Sequence, residues 1–199
     1  MTGTNEATSL RQLAGLPDTP APWGDQTLVL VDCQNTYTRG VMELEGVQAA
    51  LDQVEELLDR ARSAGIPIVH IQHDDGAGGL YDIRDDIGAI VPRVAPRGDE
   101  PVIVKAYPDA FVETDLADKL GPEKDIVLAG FMTHMCINST ARGGFNRGYR
   151  PAVVAAATAT RDLPGPDGTV SAASVQTVGL AAIADLFGIV VPDAKTIVG

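Results

Sequence analysis

The sequence predicts an α/β protein of three layers, with helices on both faces of a six-stranded, mostly parallel sheet. Two observations carry that prediction. Six short stretches are almost continuously aliphatic: QTLVLVD (26–32), PIVHIQ (67–72), PVIVK (101–105), DIVLAG (125–130), PAVVAA (151–156) and GIVV (188–191). Runs without polar alternation read as strands buried on both faces, as in parallel sheets. Helical patterns lie between them, and parallel strands need such crossovers to bring the chain back to the same edge.

Taken in order, residues 1–25 carry Pro17, Pro20 and Pro22 among scattered polar residues and read as an arm over the surface. Residues 26–199 then form one domain, since 199 residues of 45% hydrophobic composition suffice for a single sizeable core. The first strand closes at Asp32. The helix at 47–64 sets Val47, Leu51, Val54, Leu57, Leu58 and Ala61 on one face, its charged residues on the others, and stops at Gly65. After the second strand, DDGAGGLYDIRDD (74–86) matches neither the dinucleotide pattern G-x-G-x-x-G nor a phosphate loop, so it reads as a loop and a candidate lid. Further helices are expected at 112–120, 133–148 and 170–187. No internal repeat is present.

Fifteen Lys and Arg against 27 Asp and Glu give a net charge of −12, a field that repels nucleic acid and anionic membrane surfaces. Neither is an expected partner. Two cysteines, Cys33 and Cys136, are too few for a disulfide scaffold and sit in apolar runs, which suits a reducing compartment. The start, MTGTNEATSLRQL, lacks a basic region followed by an apolar core, and no later stretch is apolar for long enough to span a bilayer. The expected location is the cytoplasm.

In an open parallel sheet, ligands bind beyond the carboxyl ends of the strands. Three chemically capable residues stand there: Asp32 after the first strand, Lys105 at the end of the third, and Cys136 a short turn after the fourth, at the head of a helix. Each also has an ordinary structural role. Asp32 can cap the turn that follows, Lys105 can reach solvent along its stem, and Cys136 can be a small buried hydrophobe. Taken together they form a proton-handling set. Asp32 would accept the thiol proton, Lys105 would hold the carboxylate and stabilise charge, and Cys136, its pKa lowered at a helix N-terminus, would attack an electrophilic carbon. Strand alternation sends Cys33 to the face opposite Asp32, as packing, and the missing C-x-x-C spacing argues against a redox pair. His134, two residues before Cys136, points elsewhere on a helix and reads as pocket wall or surface.

The stretches LVLVDCQNTY, VIVKAYPDAFVETDL and GFMTHMCINSTARGGFNRGY resemble the three signature segments of the isochorismatase-like cysteine hydrolases, in order, across about residues 26–192. That resemblance implies a catalytic triad of Asp32, Lys105 and Cys136 in a sheet of order 3-2-1-4-5-6. It also implies a non-proline cis peptide near Phe131–Met132 and an oxyanion hole from the N–H groups of Met132 and Cys136. With Lys105 two strands from Asp32, about 10 Å at standard spacing, the residues after that strand are expected to lean inward.

Cysteine at the nucleophile position places the chain with the amidases of that superfamily rather than with isochorismatases proper. The expected reaction is C–N cleavage of a small-molecule amide through a thioester, with no cofactor. HDDGAGGLYDI, VAPRGDEPVIVKAYPDAF and ATATRDLPGPDG look most like the streptothricin hydrolase branch, which implies a cationic lactam. The carboxylates of Asp74, Asp75, Asp82, Asp85 and Asp86 would attract such a polycation. Nicotinamidase-type or N-carbamoyl amide hydrolysis, and a ligand-binding member without turnover, are the alternatives. Nicotinamidases carry an Asp-x-His metal pair where this chain has His73, Asp74 and Asp75; the ligand order is absent, and His70, His73 and Asp75 do not converge readily, so no metal is expected. Pocket-lining candidates are Gln34, Tyr37, Tyr107, Phe111, Thr133 and Met135. The resemblance further implies a homo-oligomer.

Overall fold

The computed structural model describes residues 7–121 and 125–197; residues 1–6 of the expected arm and the last two of the expected domain lie outside that range. The main sheet is built from β1 (Thr27–Val31), β2 (Ile68–His73), β3 (Val102–Lys105), β4 (Asp125–Phe131), β5 (Arg150–Ala159) and β8 (Ile189–Val191). Its order is β3-β2-β1-β4-β5-β8 and every neighbouring pair is parallel. The sixth strand is numbered eighth because a small hairpin, β6 (Leu163–Gly165) and β7 (Gly168–Val170), precedes it. That hairpin carries no aliphatic run, and the sequence pattern gave no sign of it.

Each face of the sheet has its own core. On one side, α2 (Val47–Ala64) packs Leu51, Val54, Leu57, Leu58 and Ala61 against Leu28, Leu30, Val127 and Ala129. Each such leucine removed from water contributes about 1.5–3 kcal/mol. The helix ends where Gly65 turns left-handed (φ +67°) and its N–H reaches back to Ala61 and Arg62. On the other side, Val29, Val31, Ile71, Ile103 and Leu128 meet Leu116 and Leu120 of α3 (Leu116–Leu120), Ala141 of α4 (Asn138–Asn146), and Ile183.

Several boundaries differ from the sequence reading. Helix 112–120 shrinks to α3, because Glu113 takes a left-handed φ of +54° that interrupts a helix before Asp115. Residues 170–187 divide into β7, α5 (Ala172–Ala182) and a π-helical turn, Ile183–Phe187. The strand β3, expected to be buried on both faces, is an edge: Ile103 and Lys105 are buried while Val102 and Val104 face out. Ahead of β1 the chain carries a short helix, α1 (Leu10–Leu13), and Trp23, which enters the α2-side core beneath the Arg60 guanidinium.

The chain winds one way from β1 through β2 to β3 and the other way from β4 through β5 to β8. The reversal falls between β1 and β4, and ligands of open parallel sheets bind at the carboxyl ends of the strands at such a point.

Candidate active site

At that reversal point the backbone leaves regular strand geometry. Asp32 has φ +52°, a left-handed conformation that a residue with a side chain holds only when its surroundings enforce it. Beside it, Gly130 of β4 has φ +116°, and a Cβ there would lie 2.0 Å from the Val31 carbonyl oxygen, so only glycine fits. The turn at Asp32 resets strand alternation. Regular alternation would put Asp32 with Leu28 and Leu30 on the α2 face and Cys33 opposite; instead Cys33 joins the α2-side core and Asp32 meets Lys105. The two residues are indeed kept apart, by the turn rather than by alternation.

Lys105 reaches across the end of β2 to Asp32. Its ammonium lies 2.8 Å from Asp32 Oδ2, and both side chains are fully buried. The inward lean expected after β3 is unnecessary, because the lysine stem and the aspartate side chain close the gap between them. The same nitrogen donates to Cys136 Sγ at 3.4 Å and to His73 Nδ1 at 3.1 Å. Apart from that ion pair, neither oxygen of Asp32 has a hydrogen bond of regular geometry.

Cys136 is delivered by a π-helical turn, Thr133–Ile137, that runs directly into α4 and follows a cis peptide bond between Phe131 and Met132. The residue is nearly sealed, 6% exposed. The expectation of a lowered thiol pKa is overturned. Burial first, and then the Asp32 carboxylate, push it well up, and Lys105 offsets only part of the rise. At neutral pH the sulfur therefore rests as a thiol. Burial pulls Lys105 down, but the Asp32 carboxylate above all outweighs it and holds the lysine above its ordinary value, so it remains an ammonium.

The isochorismatase domain model matches residues 26–191. The chain belongs to the isochorismatase family. It is 36% identical to the secreted isochorismatase effector Isc1 of Verticillium dahliae over 92% of this chain and 96% of that protein. Similarity to a maleamate amidohydrolase of Pseudomonas putida is 32% over 64% and 68% of the two chains. A streptothricin hydrolase of Streptomyces noursei is 33% identical over 70% of this chain, which spans about half of that protein (51%). A crystal structure of an isochorismatase from Pseudomonas putida KT2440 superposes with a TM-score of 0.92 at 35% identity, covering 95% and 98% of the two chains.

Within this isochorismatase-family hydrolase, the pocket-lining candidates separate. Tyr37 is buried and donates to the Tyr81 hydroxyl at 3.2 Å, close enough to Asp32 and Cys136 to be perturbed by both. Tyr107 and Met135 are exposed, at 44% and 39%. Gln34 is a correction: it is fully buried, its amide nitrogen donates to the carbonyls of His73 (2.9 Å) and Gly88 (2.7 Å), and its oxygen accepts from His73 N–H. It has no free amide hydrogen for a ligand and instead ties the end of β1 to β2. Thr133 is likewise committed, through its hydroxyl, to the Ala159 carbonyl. Phe111 packs on Tyr149 and Gly144, toward the far end of α4 from Cys136.

Three neighbours of the site escaped sequence reasoning. His73 accepts from Lys105, Tyr81 stacks edge-on against the His73 ring with centroids 4.9 Å apart, and Arg161 bears on the charge states of Tyr81 and His134. None lies in the three signature segments; the sequence presents His73 only as a candidate metal ligand, and Tyr81 and Arg161 fall within HDDGAGGLYDI and ATATRDLPGPDG, stretches whose likeness assigns them no role. His70 faces away, hydrogen-bonded to Glu100, and Asp75 accepts the N–H groups of Leu80 and Tyr81, so these two and His73 point to three different places.

The acid-rich loop is only partly neutralised, its five carboxylates facing the guanidiniums of Arg84 and Arg39. Arg84 pairs with both Asp74 and Asp82, Arg39 with Asp86, and Asp82 also accepts Gly78 N–H. Those contacts shape the loop and remove part of the counter-charge expected for a polycation, while Asp75 and Asp85 stay outside these ion pairs.

Proposed function

We propose that the protein hydrolyses the C–N bond of a small amide that carries a carboxylate, through a thioester on Cys136. The observation that carries the chemistry is a single buried ammonium, Lys105, within reach of both Asp32 (2.8 Å) and Cys136 (3.4 Å). As the amide enters, Asp32 takes the Sγ proton and the sulfur attacks the carbonyl carbon. The oxygen charge that develops is received by the N–H groups of Met132 and Cys136 at the head of the π-helical turn. The C–N bond breaks as Asp32 passes its proton to the leaving nitrogen, releasing ammonia or an amine. Water then loses a proton to Asp32 and attacks the thioester, and the freed thiolate recovers the proton as the acid product departs. Lys105 keeps the carboxylate ionised and stabilises the thiolate. A thiol whose pKa is raised suits this sequence, since the sulfur becomes nucleophilic only once a base acts on it.

Arg161 supports the carboxylate. Among the described residues it makes no ion pair, and its Nε is buried without a hydrogen-bond partner. A buried unpaired guanidinium edge beside the site fits a carboxylate ligand. The likeness to maleamate amidohydrolase points the same way. Two free, buried cysteines support a reducing compartment.

The test is a panel of maleamate, a neutral amide of equal size and a cationic lactam, read by amine release with the wild type, Cys136→Ala and Arg161→Gln. The expected result is abolition of every activity by Cys136→Ala. Arg161→Gln should lower kcat/KM for maleamate by about 10–100-fold and leave the neutral amide within about threefold. Preference for the lactam, or indifference of maleamate turnover to Arg161→Gln, would overturn the carboxylate reading.

A further inference from the structure

The Lys105 ammonium has three N–H bonds and three acceptors around it: Asp32 Oδ2 at 2.8 Å, Cys136 Sγ at 3.4 Å and His73 Nδ1 at 3.1 Å. Two of the three are residues of the proposed chemistry. His73 is not, yet its placement is closely specified. It pairs with Lys105 in the β2–β3 register, Gln34 clamps its backbone N–H and carbonyl at 2.9 Å each, and Tyr81 braces its ring edge-on.

We propose that His73 is a positioning residue that holds Lys105 between Asp32 and Cys136, and that it does so only as a neutral imidazole protonated at Nε2. This rests on the thioester reading and adds an acid-side switch to it. An ammonium has no lone pair, so the Nδ1 that faces it must be the unprotonated nitrogen. A proton added at Nδ1 would point at Lys105, remove its third acceptor and set two cations side by side at 3.1 Å. The lysine would then be pushed from the position that lets it serve both carboxylate and sulfur.

The groups facing His73 agree with this. Burial first, and then Lys105 from β3, disfavour the imidazolium and lower the His73 pKa; Asp32 from the end of β1 and Asp75 and Asp74 from its own loop oppose them and are outweighed. Tyr81 presents a neutral ring. Asp74 is itself paired with Arg84, which weakens its pull. The imidazole is therefore neutral through the neutral range, and the switch closes only on acidification.

The experiment has two arms, one of them independent of turnover. The chain has three histidines, so its imidazole signals can be assigned by 1H–15N correlation in histidine-labelled protein with His70→Gln and His134→Gln as references. His73 is expected as the Nε2–H tautomer, and Lys105→Met is expected to raise its midpoint. An Nδ1–H tautomer, or a midpoint unmoved by Lys105→Met, would overturn the proposal.

The second arm is the pH profile of kcat/KM on the fastest amide of the panel. His73→Asn keeps an acceptor oxygen near Nδ1 but does not titrate, so it should retain activity at pH 7.5 and lose the acid limb that His73 supplies. His73→Leu, without an acceptor, should lose roughly tenfold or more at every pH, mainly in kcat, with an unchanged melting temperature. An acid limb that persists unshifted in His73→Asn would overturn the proposal while leaving the thioester reading intact. That reading fails separately, by activity surviving in Cys136→Ala.

Discussion

Partly buried Glu100 and fully buried Asp32 are carboxylates at opposite ends of the sheet, each facing a cation, and they are treated in opposite ways. Glu100, just before β3, accepts Arg62 through both oxygens at 2.8 and 2.9 Å, and its Oε2 also takes Arg97 N–H and His70 Nε2, each at 2.9 Å. The Arg62 hydrogen bonds above all hold its pKa down at about 2. Asp32, just after β1, has one ion-pair contact and no regular hydrogen bond on either oxygen. Buried polar groups are normally satisfied, so a buried carboxylate held by one cation alone stands apart from a cluster that is fully bonded. The first cluster ties the start of β3 to α2; under the proposed thioester chemistry, the second keeps reactivity in reserve.

That contrast can be broken most severely at Asp32. In the double variant Asp32→Asn with Lys105→Met, kcat/KM should fall by at least about a thousandfold, since the base and its charged partner are both gone. Stability should stay near or above wild type in denaturant melts, because replacing a buried ion pair as a whole is often neutral or favourable. A large loss of stability would mean that this pair is structural after all. Asparagine is the chosen replacement because it tolerates the left-handed backbone.

Glu100→Ala should do the reverse. It strands Arg62 and His70 and should cost roughly 3 kcal/mol of unfolding free energy, with kcat/KM within about threefold of wild type at a temperature where the variant is folded. Unfolding free energy within 1 kcal/mol of wild type would erase the distinction between the clusters.

The smallest effect concerns His70. Burial dominates and lowers its pKa, with Arg62 adding to the drop, although the hydrogen bond to Glu100 opposes them. In the window between that lowered value and the ordinary imidazole value near 6.5, the unfolded chain binds more protons than the folded one. His70 therefore contributes stability above about pH 6.5 that is lost as pH falls through that window. His70→Gln should flatten the fall in melting temperature between pH 7 and pH 5. An unchanged slope would assign the acid sensitivity elsewhere.

Much of this was legible in the chain. Aliphatic runs place the sheet because buried parallel strands leave no room for polar residues, and the resemblance supplied the strand order and the three reactive residues. What could not be read were the consequences of single backbone angles and long-range contacts. The left-handed turn at Asp32 decides which face its carboxylate joins, and periodicity carries no trace of it. The span of Lys105 across β2 is a property of two side chains meeting, so strand spacing alone argued wrongly for a bend. The direction of the Cys136 shift depends on how completely the sulfur is sealed and on the nearness of Asp32, neither of which a helix-start pattern records. Gln34 looked like a ligand contact from its position after β1; only its three backbone bonds reveal it as a brace for His73. Arg161 lies outside every signature segment, and its interest comes from a partner it lacks.

The central claim is that Cys136 forms a covalent acyl bond with the amide it cleaves. Acid quench of the enzyme during steady turnover, followed by peptide mass spectrometry, tests it directly. The expected result is an adduct of the acyl fragment on the peptide bearing Cys136, which builds within the first turnover and decays as amide is exhausted. Sustained turnover with that peptide unmodified, or with the acyl group on another residue, would contradict it.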